Sequence, residues 1–334
     1  MIISHYKKTP IALAPDELSN CINKYTEHES FVNENFNKCD IIQYHNRYIY
    51  ITHLWKYEID KRNLIKKPSF ILYHSFPEIT DNYKDVIMAN TLIIILKKIF
   101  GRKSLSIFLN IKKSQFAKYI SFKKNDAVKQ MVIGQYQATL NEFKHYKIMR
   151  NIIDFNKEIY NVNILKNNKI KIGYSPSIIK KSTRSIWETK GYGRTINIIK
   201  NIAKLYSIEY DIITNAPFEE CLERKSKCNI IIDECVTGSY HKSALEGLAL
   251  GKMTICSISK EVGQVMKKAS GSNIIPFQNI WINELKFELK KIIALGSKYI
   301  NNKGLENRLW MEKYWDPKTI ANEYTDYYFN KNNL

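Results

Sequence analysis

The chain alternates short apolar runs with longer segments of helical period. In the first half, "CDIIQYHN" (39 to 46), "PSFILYHSFPE" (68 to 78) and "KQMVIGQYQATL" (129 to 140) rise from polar flanks into apolar residues and end in polar loops. Runs of this kind predict buried strands that deliver polar residues at their ends. "SNCINKYTEH" and "YKDVIMANTLIIILKKIF" supply helical connections, while the basic segment from Lys112 to Lys129 fits a helix or a surface loop equally well. The second half continues the alternation. Strands are expected at "KIKIGYSPS" (169 to 177), "YDIIT" (210 to 214), "NIIID" (229 to 233) and "MTICS" (253 to 257), and helices at 193 to 207, 217 to 227 and 241 to 250. In "PFEECLERKSK" a proline opens the helix, acids follow in its first turn and bases finish it, as the helix dipole favours. Strand and helix in strict succession predict an α/β fold with a largely parallel sheet covered by helices.

At 334 residues the chain suggests two such lobes of roughly 150 residues each. The polar, Asn-rich connection from Phe155 to Asn168 marks the expected boundary, giving lobes at 1–160 and 161–308. The closing segment "NRLWMEKYWDPKTIANEYTDYYFNKN" is aromatic and helical, so 309–334 is expected to cross back over the first lobe. No repeat of solenoid period is visible.

Composition narrows the setting. The longest apolar run, Leu92 to Leu96, falls far short of the ~20 residues that span a bilayer. The N-terminus places its lysine pair after the apolar residues and has no long apolar region before a cleavage site, so a cytoplasmic protein is expected. Cys21, Cys39, Cys221, Cys228, Cys235 and Cys256 show no ligand spacing and read as reduced thiols, so no metal site is expected. Lys plus Arg number 52 against 32 acidic residues, a net charge of +20. That excess attracts phosphate-rich partners: nucleotide sugars, anionic lipid surfaces or nucleic acid.

The stretch "IIIDECVTGSYHKSALEGLALGKMTICS" (230 to 257) passes from strand through a loop to a helix, stops at Gly251, and returns to strand. Gly238, Ser239 and Tyr240 form a loop whose backbone N–H groups can approach a diphosphate, and the helix start adds positive partial charge. Glu246 lies one turn into the helix beside the apolar stripe of Leu245, Leu248 and Ala249.

Here the sequence resembles the nucleotide-sugar glycosyltransferases of the two-lobed GT-B fold, in particular the large retaining group called family 4. "LEGLALGKMTI" matches that group's "E-A-M-A-x-G-K-P-V-I" with Met253 in place of the proline. "KIMRNIIDFN" is similar to the element between the lobes, and "ETKGYGRTINIIK" to an "E-K-G-x-x-x-L-I" helix start. The resemblance implies two Rossmann-like lobes around a cleft, with the donor in the second lobe, the acceptor in the first, and closure about Arg150 to Asn168. It implies a ribose-binding role for Glu246 and a diphosphate-binding role for Lys190 together with the loop Gly238, Ser239 and Tyr240. By position, Thr214, Asn215, Ala216 and Pro217 are candidates to hold the nucleobase. His74, at the end of "FILYHS", is implied as the catalytic residue, and His45 with Asn46 as acceptor-binding residues.

Two departures stand out. Family members carry a first glutamate eight residues before the second, where this chain has Gly238; Asp233 and Glu234 are the nearby candidates to replace it. The arginine usually found upstream of the lysine is also missing, with Lys180, Lys181 and Arg184 as candidates. The absence of any D-x-D motif and the resemblance imply transfer without a metal or other cofactor. The expected activity is that of a hexosyltransferase moving a sugar to a glycan or lipid-linked acceptor, as in cell-surface polysaccharide or lipopolysaccharide assembly. Lys112, Lys113, Lys123 and Lys124, interleaved with Phe116, Tyr119 and Phe122, are candidates to hold the protein at the inner membrane face. The alternatives are a DNA-modifying glycosyltransferase or basic nucleic-acid-binding protein, for which the same segment would track a phosphate backbone, and a phosphorylase or epimerase on the same scaffold.

Overall fold

The computed structural model describes residues 1–7, 14–35, 38–46, 69–73, 128–139, 143, 145–164, 169–176 and 190–330. His74, the expected helix at 83–100, Lys112, Lys113, Lys123 and Lys124 with their interleaved aromatics, and Lys180, Lys181 and Arg184 lie outside these residues. The described chain divides into two compact units, Met1–Ile152 with Pro317–Leu334, and Ile153–Asp316. Among the described residues no helix is long and apolar enough to cross a membrane.

In the first unit, strands β1 (Ile2–Lys7), β2 (Glu29–Val32), β3 (Ile41–Asn46), β4 (Ser69–Tyr73), β5 (Val128–Ile133) and β6 (Lys147–Met149) form a parallel sheet in the order β2-β1-β3-β4-β5-β6. Ile3, Ile41, Ile42, Leu72, Met131 and Val132 are fully buried in it, the double-sided burial that leaves parallel strands continuously apolar. β1 and β2 were not expected from the sequence. β1 carries Ser4 and His5 in its middle, and their burial depends on local partners, since His5 Nε2 lies 2.8 Å from Ser30 Oγ on β2. Helix α1 (Ala14–Tyr25) buries Leu18, Cys21 and Ile22, three to four residues apart on one face.

In the second unit, β7 (Lys171–Tyr174), β8 (Glu209–Ile212), β9 (Ile230–Ile232), β10 (Met253–Cys256) and β11 (Gln278–Asn279) form a parallel sheet ordered β11-β10-β9-β7-β8. The connections are α2 (Tyr192–Tyr206), α3 (Phe218–Ser226), α4 (Lys242–Ala249) and α5 (Lys260–Ser270). α6 (Leu285–Ala294) and α7 (Gly296–Tyr314) follow, and α8 (Pro317–Phe329) returns to the first unit, where it packs on α1. The strands and helices expected at 169 to 257 are all present within a few residues of their expected ends.

The units divide at Ile152 and Asp316, whereas the sequence suggested 160 and 308. Arg308, on α7, explains the first difference. Its guanidinium donates to the carbonyls of Phe155 (3.3 Å), Tyr160 (3.2 Å) and Ala249 (2.5 Å), and it lies 4.7 Å from the centre of the Phe155 ring. The segment that reads as a polar linker is thereby fastened to the second unit. On the other side, Arg150 pairs through its guanidinium with Glu323 of α8, and Tyr324 Oη donates to the Arg150 carbonyl at 3.1 Å. The aromatic closing segment is two helices, because Pro317 has no N–H with which to continue α7 and opens α8 instead.

Lys252 follows α4 and is buried, with Nζ donating to the Asn163 carbonyl at 2.8 Å. Burial pushes its ammonium down from 10.5 to about 8. The unfolded chain therefore binds more protons than the folded one between those values, and stability from this group rises as pH climbs through that window. Below about 8 the folded chain carries the full cost of a buried charge, at about 1.4 kcal/mol per pKa unit. Lys252→Met should accordingly shift urea unfolding toward greater relative stability at pH 7 than at pH 10. A wild-type-to-variant difference that stays constant from pH 7 to pH 10 would show that Lys252 titrates normally.

Candidate functional site

Open parallel sheets bind ligands beyond the carboxyl ends of their strands, where strand order reverses. In the second unit that place lies between β7 and β9, which are neighbours in the sheet although β8 separates them in sequence. The residues beyond these two strand ends are Ser175 and Asp233, and helix α4 starts beside them. Ser175 Oγ and Ser243 Oγ, the latter on α4, are 3.0 Å apart, closing the gap with a hydroxyl pair.

Glu246 lies one turn further along α4. It is 6% exposed, and Lys225 of α3 is 1% exposed. Lys225 Nζ donates to Glu246 Oε2 at 2.6 Å and to Ser243 Oγ at 2.9 Å. Burial pushes the lysine's pKa down, yet the charge and hydrogen bond of Glu246, with lesser help from Cys221 and Asp233, outweigh it and hold the ammonium above its ordinary range. Glu246 Oε1 has no hydrogen-bond partner among the described residues, leaving that oxygen as an acceptor. The sequence alone suggests a loop-side carboxylate of little structural consequence. The structure corrects this: Glu246 is half of a buried ion pair, because Leu222 and Lys225, three residues apart, turn one face of α3 inward. Lys225 was missed for a specific reason. A base in the last turn of a helix reads as a solvated partner of the dipole, and only its spacing from Leu222 marks it as inward-facing.

The loop before α4 is held by the acids that the sequence offered as replacements for the missing first glutamate. Glu234 accepts the backbone N–H groups of Val236 and Thr237, each at 2.9 Å, and the Thr237 hydroxyl at 2.5 Å. Asp233 Oδ2 accepts the His241 backbone N–H at 2.9 Å and faces His241 Nδ1 at 3.1 Å. Glu234 thus spends both oxygens on its own loop, whereas Asp233 holds the start of α4 through Oδ2 alone. A glutamate at 238 would also be strained and crowded. Gly238 has φ +71°, and a Cβ there would lie 2.9 Å from Trp281 Cη2 and 3.2 Å from Ser259 Cβ. Trp281, 39% exposed, thus flanks the loop, another residue the sequence reading did not single out.

The remaining candidates fall as follows. The Gly238 N–H donates to Ser257 Oγ at 3.0 Å. Ser239 is buried, and its hydroxyl lies 3.5 Å from the Tyr240 carbonyl. The Tyr240 side chain is fully buried, stacked on Phe277 with ring centres 5.7 Å apart and edge-on to Trp315 at 6.3 Å, so Tyr240 meets any ligand through its backbone alone. Lys190 precedes α2 in a left-handed turn with Gly191, at φ +49° and +69°, and its charge acts on Asp233. Thr214, Asn215, Ala216 and Pro217 form the loop between β8 and α3, with Asn215 exposed at φ +54°. In the first unit, β3 ends at His45 and Asn46, whose backbones pair with Leu72 and Tyr73 of β4; His74 follows Tyr73, outside the described residues.

No protein-family model matches the chain, and no curated protein matches its sequence. Solved structures do. Sucrose-phosphate synthase from Thermosynechococcus elongatus aligns over 98% of both chains with a TM-score of 0.55 at 10% identity. HepE from Anabaena aligns over 98% of both chains in its complex with UDP-glucose, with a TM-score of 0.57 at 9% identity. In its complex with UDP and glucose, HepE gives 0.55 at 11% identity over the same shares. At such identities the likeness speaks to architecture alone, and that architecture is the α/β, two-sheet GT-B fold.

Proposed function

We propose that the chain is a glycosyltransferase that takes a sugar from a nucleotide-sugar donor bound in the second unit. The observation that carries this reading is the buried Lys225–Glu246 pair beside the Ser175–Ser243 hydroxyls, set where strand order reverses. A carboxylate fixed by a buried lysine, with one oxygen lacking a donor among the described residues, suits the paired hydroxyls of a ribose. The α4 start and Lys190 then meet the diphosphate, where fixed amides and a cation stabilise charge on a leaving nucleoside diphosphate. The loop Thr214 to Pro217 holds the base. That HepE, of the same fold, is solved with UDP-glucose supports this donor class.

Transfer goes to a glycan or lipid-linked acceptor, with His74 as catalytic residue and His45 and Asn46 on the acceptor side. It proceeds with retention and without a divalent ion, in cell-surface polysaccharide or lipopolysaccharide assembly. These finer assignments rest on the sequence resemblance.

The test is a thermal-shift screen with uridine, guanosine, adenosine and cytidine diphosphate sugars, each with and without EDTA. One base class should raise the melting temperature, since a ligand at 100 times its Kd adds about 2.7 kcal/mol. The shift should survive EDTA. No stabilisation by any of the four classes would overturn the donor reading, and a shift abolished by EDTA and restored by Mn²⁺ would overturn metal independence.

A further inference from the structure

The proposed diphosphate site has Lys190 but lacks the arginine that the sequence resemblance calls for, and the candidates to replace it, Lys180, Lys181 and Arg184, lie outside the described residues. His241 stands at the N-cap of α4, in extended conformation (φ −124°, ψ −179°). It is bound twice to one oxygen. Asp233 Oδ2 takes its backbone N–H at 2.9 Å and lies 3.1 Å from its Nδ1. Asp233 is almost fully buried, whereas the His241 side chain is 30% exposed. Burial alone would raise the Asp233 carboxyl, but the charges of His241 and Lys190 outweigh it and hold it below its ordinary range. An ionised carboxylate only accepts hydrogen bonds, so Nδ1 carries the proton that faces it. Any contact between the ring and a ligand is then made through Nε2, which has no partner among the described residues.

The surrounding charges can be named element by element. After β9 stand Asp233 and Glu234, the latter occupied by the N–H groups of its own loop. On α4, Lys242 is turned to the Phe218 ring at 4.8 Å, and Glu246 is cancelled by Lys225 of α3. Before α2 stands Lys190. With His241 neutral, the three acids Asp233, Glu234 and Glu246 balance the three lysines Lys190, Lys225 and Lys242; with it protonated, one net positive charge remains. His241 precedes Glu246 by five residues, about 7.5 Å along a helix at 1.5 Å per residue. That span is comparable with the reach from ribose hydroxyls to the distal phosphate of a nucleoside diphosphate.

We propose that His241, oriented by Asp233, binds the donor's diphosphate as an imidazolium through Nε2 and supplies the charge the missing arginine would have carried. The proposal rests on the donor reading given above. Asp233 is the positioning residue: its carboxylate orients the ring and keeps a proton on Nδ1, so Nε2 can donate to a phosphate oxygen only when the ring carries its second proton.

The experiment measures affinity by calorimetry between pH 5.5 and 8.5 with UDP-glucose, GDP-mannose, ADP-glucose and CDP-glucose. Each phosphate of these diesters carries one charge throughout that range, so a pH effect reports on the protein. Wild type should bind one of them at least tenfold more weakly at pH 8.5 than at pH 5.5. His241→Gln should bind with an affinity that is flat across the window and close to the wild-type value at pH 8.5. Asp233→Asn, which removes the acceptor that orients the ring, should weaken binding at pH 5.5 while leaving the affinity at pH 8.5 close to wild type, a selective loss that unfolding alone would not produce. Urea unfolding of each variant accompanies the titration. A pH-independent wild-type affinity, or a His241→Gln profile parallel to wild type, would overturn the role of His241 while leaving the donor site standing. Absence of binding by all four sugars at every pH would overturn the donor reading and the proposal with it.

Discussion

Lys225→Met is expected to lower the unfolding free energy by about 3–5 kcal/mol near pH 8, because it leaves the Glu246 carboxylate buried without its partner. Methionine keeps most of the volume, so the loss isolates the charge. Protonation would relieve the stranded carboxylate, so the deficit should shrink as pH falls toward 5. The double variant Lys225→Met, Glu246→Leu should recover most of the stability, since well-packed apolar replacements of a buried pair are often neutral. Function should separate from stability in the same pair. The double variant folds but lacks the carboxylate, and should lose the preference for a ribonucleoside diphosphate over its 2′-deoxy analogue. A hydrogen bond to a charged group contributes about 1.5–3 kcal/mol, so that preference is expected to be about tenfold or more in wild type. Urea midpoints and calorimetric affinities give both readouts. If Lys225→Met unfolds within 0.5 kcal/mol of wild type, water reaches the pair and the buried-site argument fails.

Glu246 was legible in the sequence because three independent signals converge on it: a period change from strand to helix, a small-residue loop before it, and Gly251 closing the helix. Its partner was not, because pairing between α3 and α4 is tertiary. Apart from its spacing from Leu222, nothing local distinguishes Lys225 from Arg224, which pairs with Asp211 and Glu220. For Tyr240 the sequence suggested a role for the backbone N–H and left the side chain unplaced; that side chain is a core residue, because Phe277 and Trp315, which enclose it, come from segments 37 and 75 residues downstream. β9 and β10 were legible because each is an apolar run, whereas β11, Gln278–Asn279, has none, and β1 and β2 conceal theirs behind buried polar residues, Ser4, His5 and Ser30. The boundary at Ile152 was hidden for the same reason as Lys225: a single distant side chain, Arg308, gathers a polar segment into the second unit.

Gly304→Ala is expected to destabilise the second unit by about 3 kcal/mol or more, through overpacking that no rotamer can relieve. A Cβ at 304 would lie 2.1 Å from the Gly251 carbonyl oxygen, 2.9 Å from its carbon and 3.1 Å from Lys252 Cα, all of them backbone atoms. The turn cannot simply retreat. Gly251 is itself held at φ +66°, and a Cβ built on it would meet Val162 at 2.9 Å. Helix α7 would have to lift away from the α4–β10 turn, stretching the bond from Asn307 Nδ2 to the Lys252 carbonyl at 2.8 Å and that from Arg308 to the Ala249 carbonyl. Each is worth about 1 kcal/mol, in addition to the steric cost. Because α4 carries Glu246, displacement of its last turn should also weaken nucleotide binding. Gly193→Ala is the matched control. It lies in α2 with no atom within 4 Å of its Cβ position, and should stabilise by about 0.4–1 kcal/mol through the unfolded chain. Urea unfolding compares the two substitutions directly, and a Gly304→Ala midpoint equal to wild type would place α7 further from the turn than this packing requires.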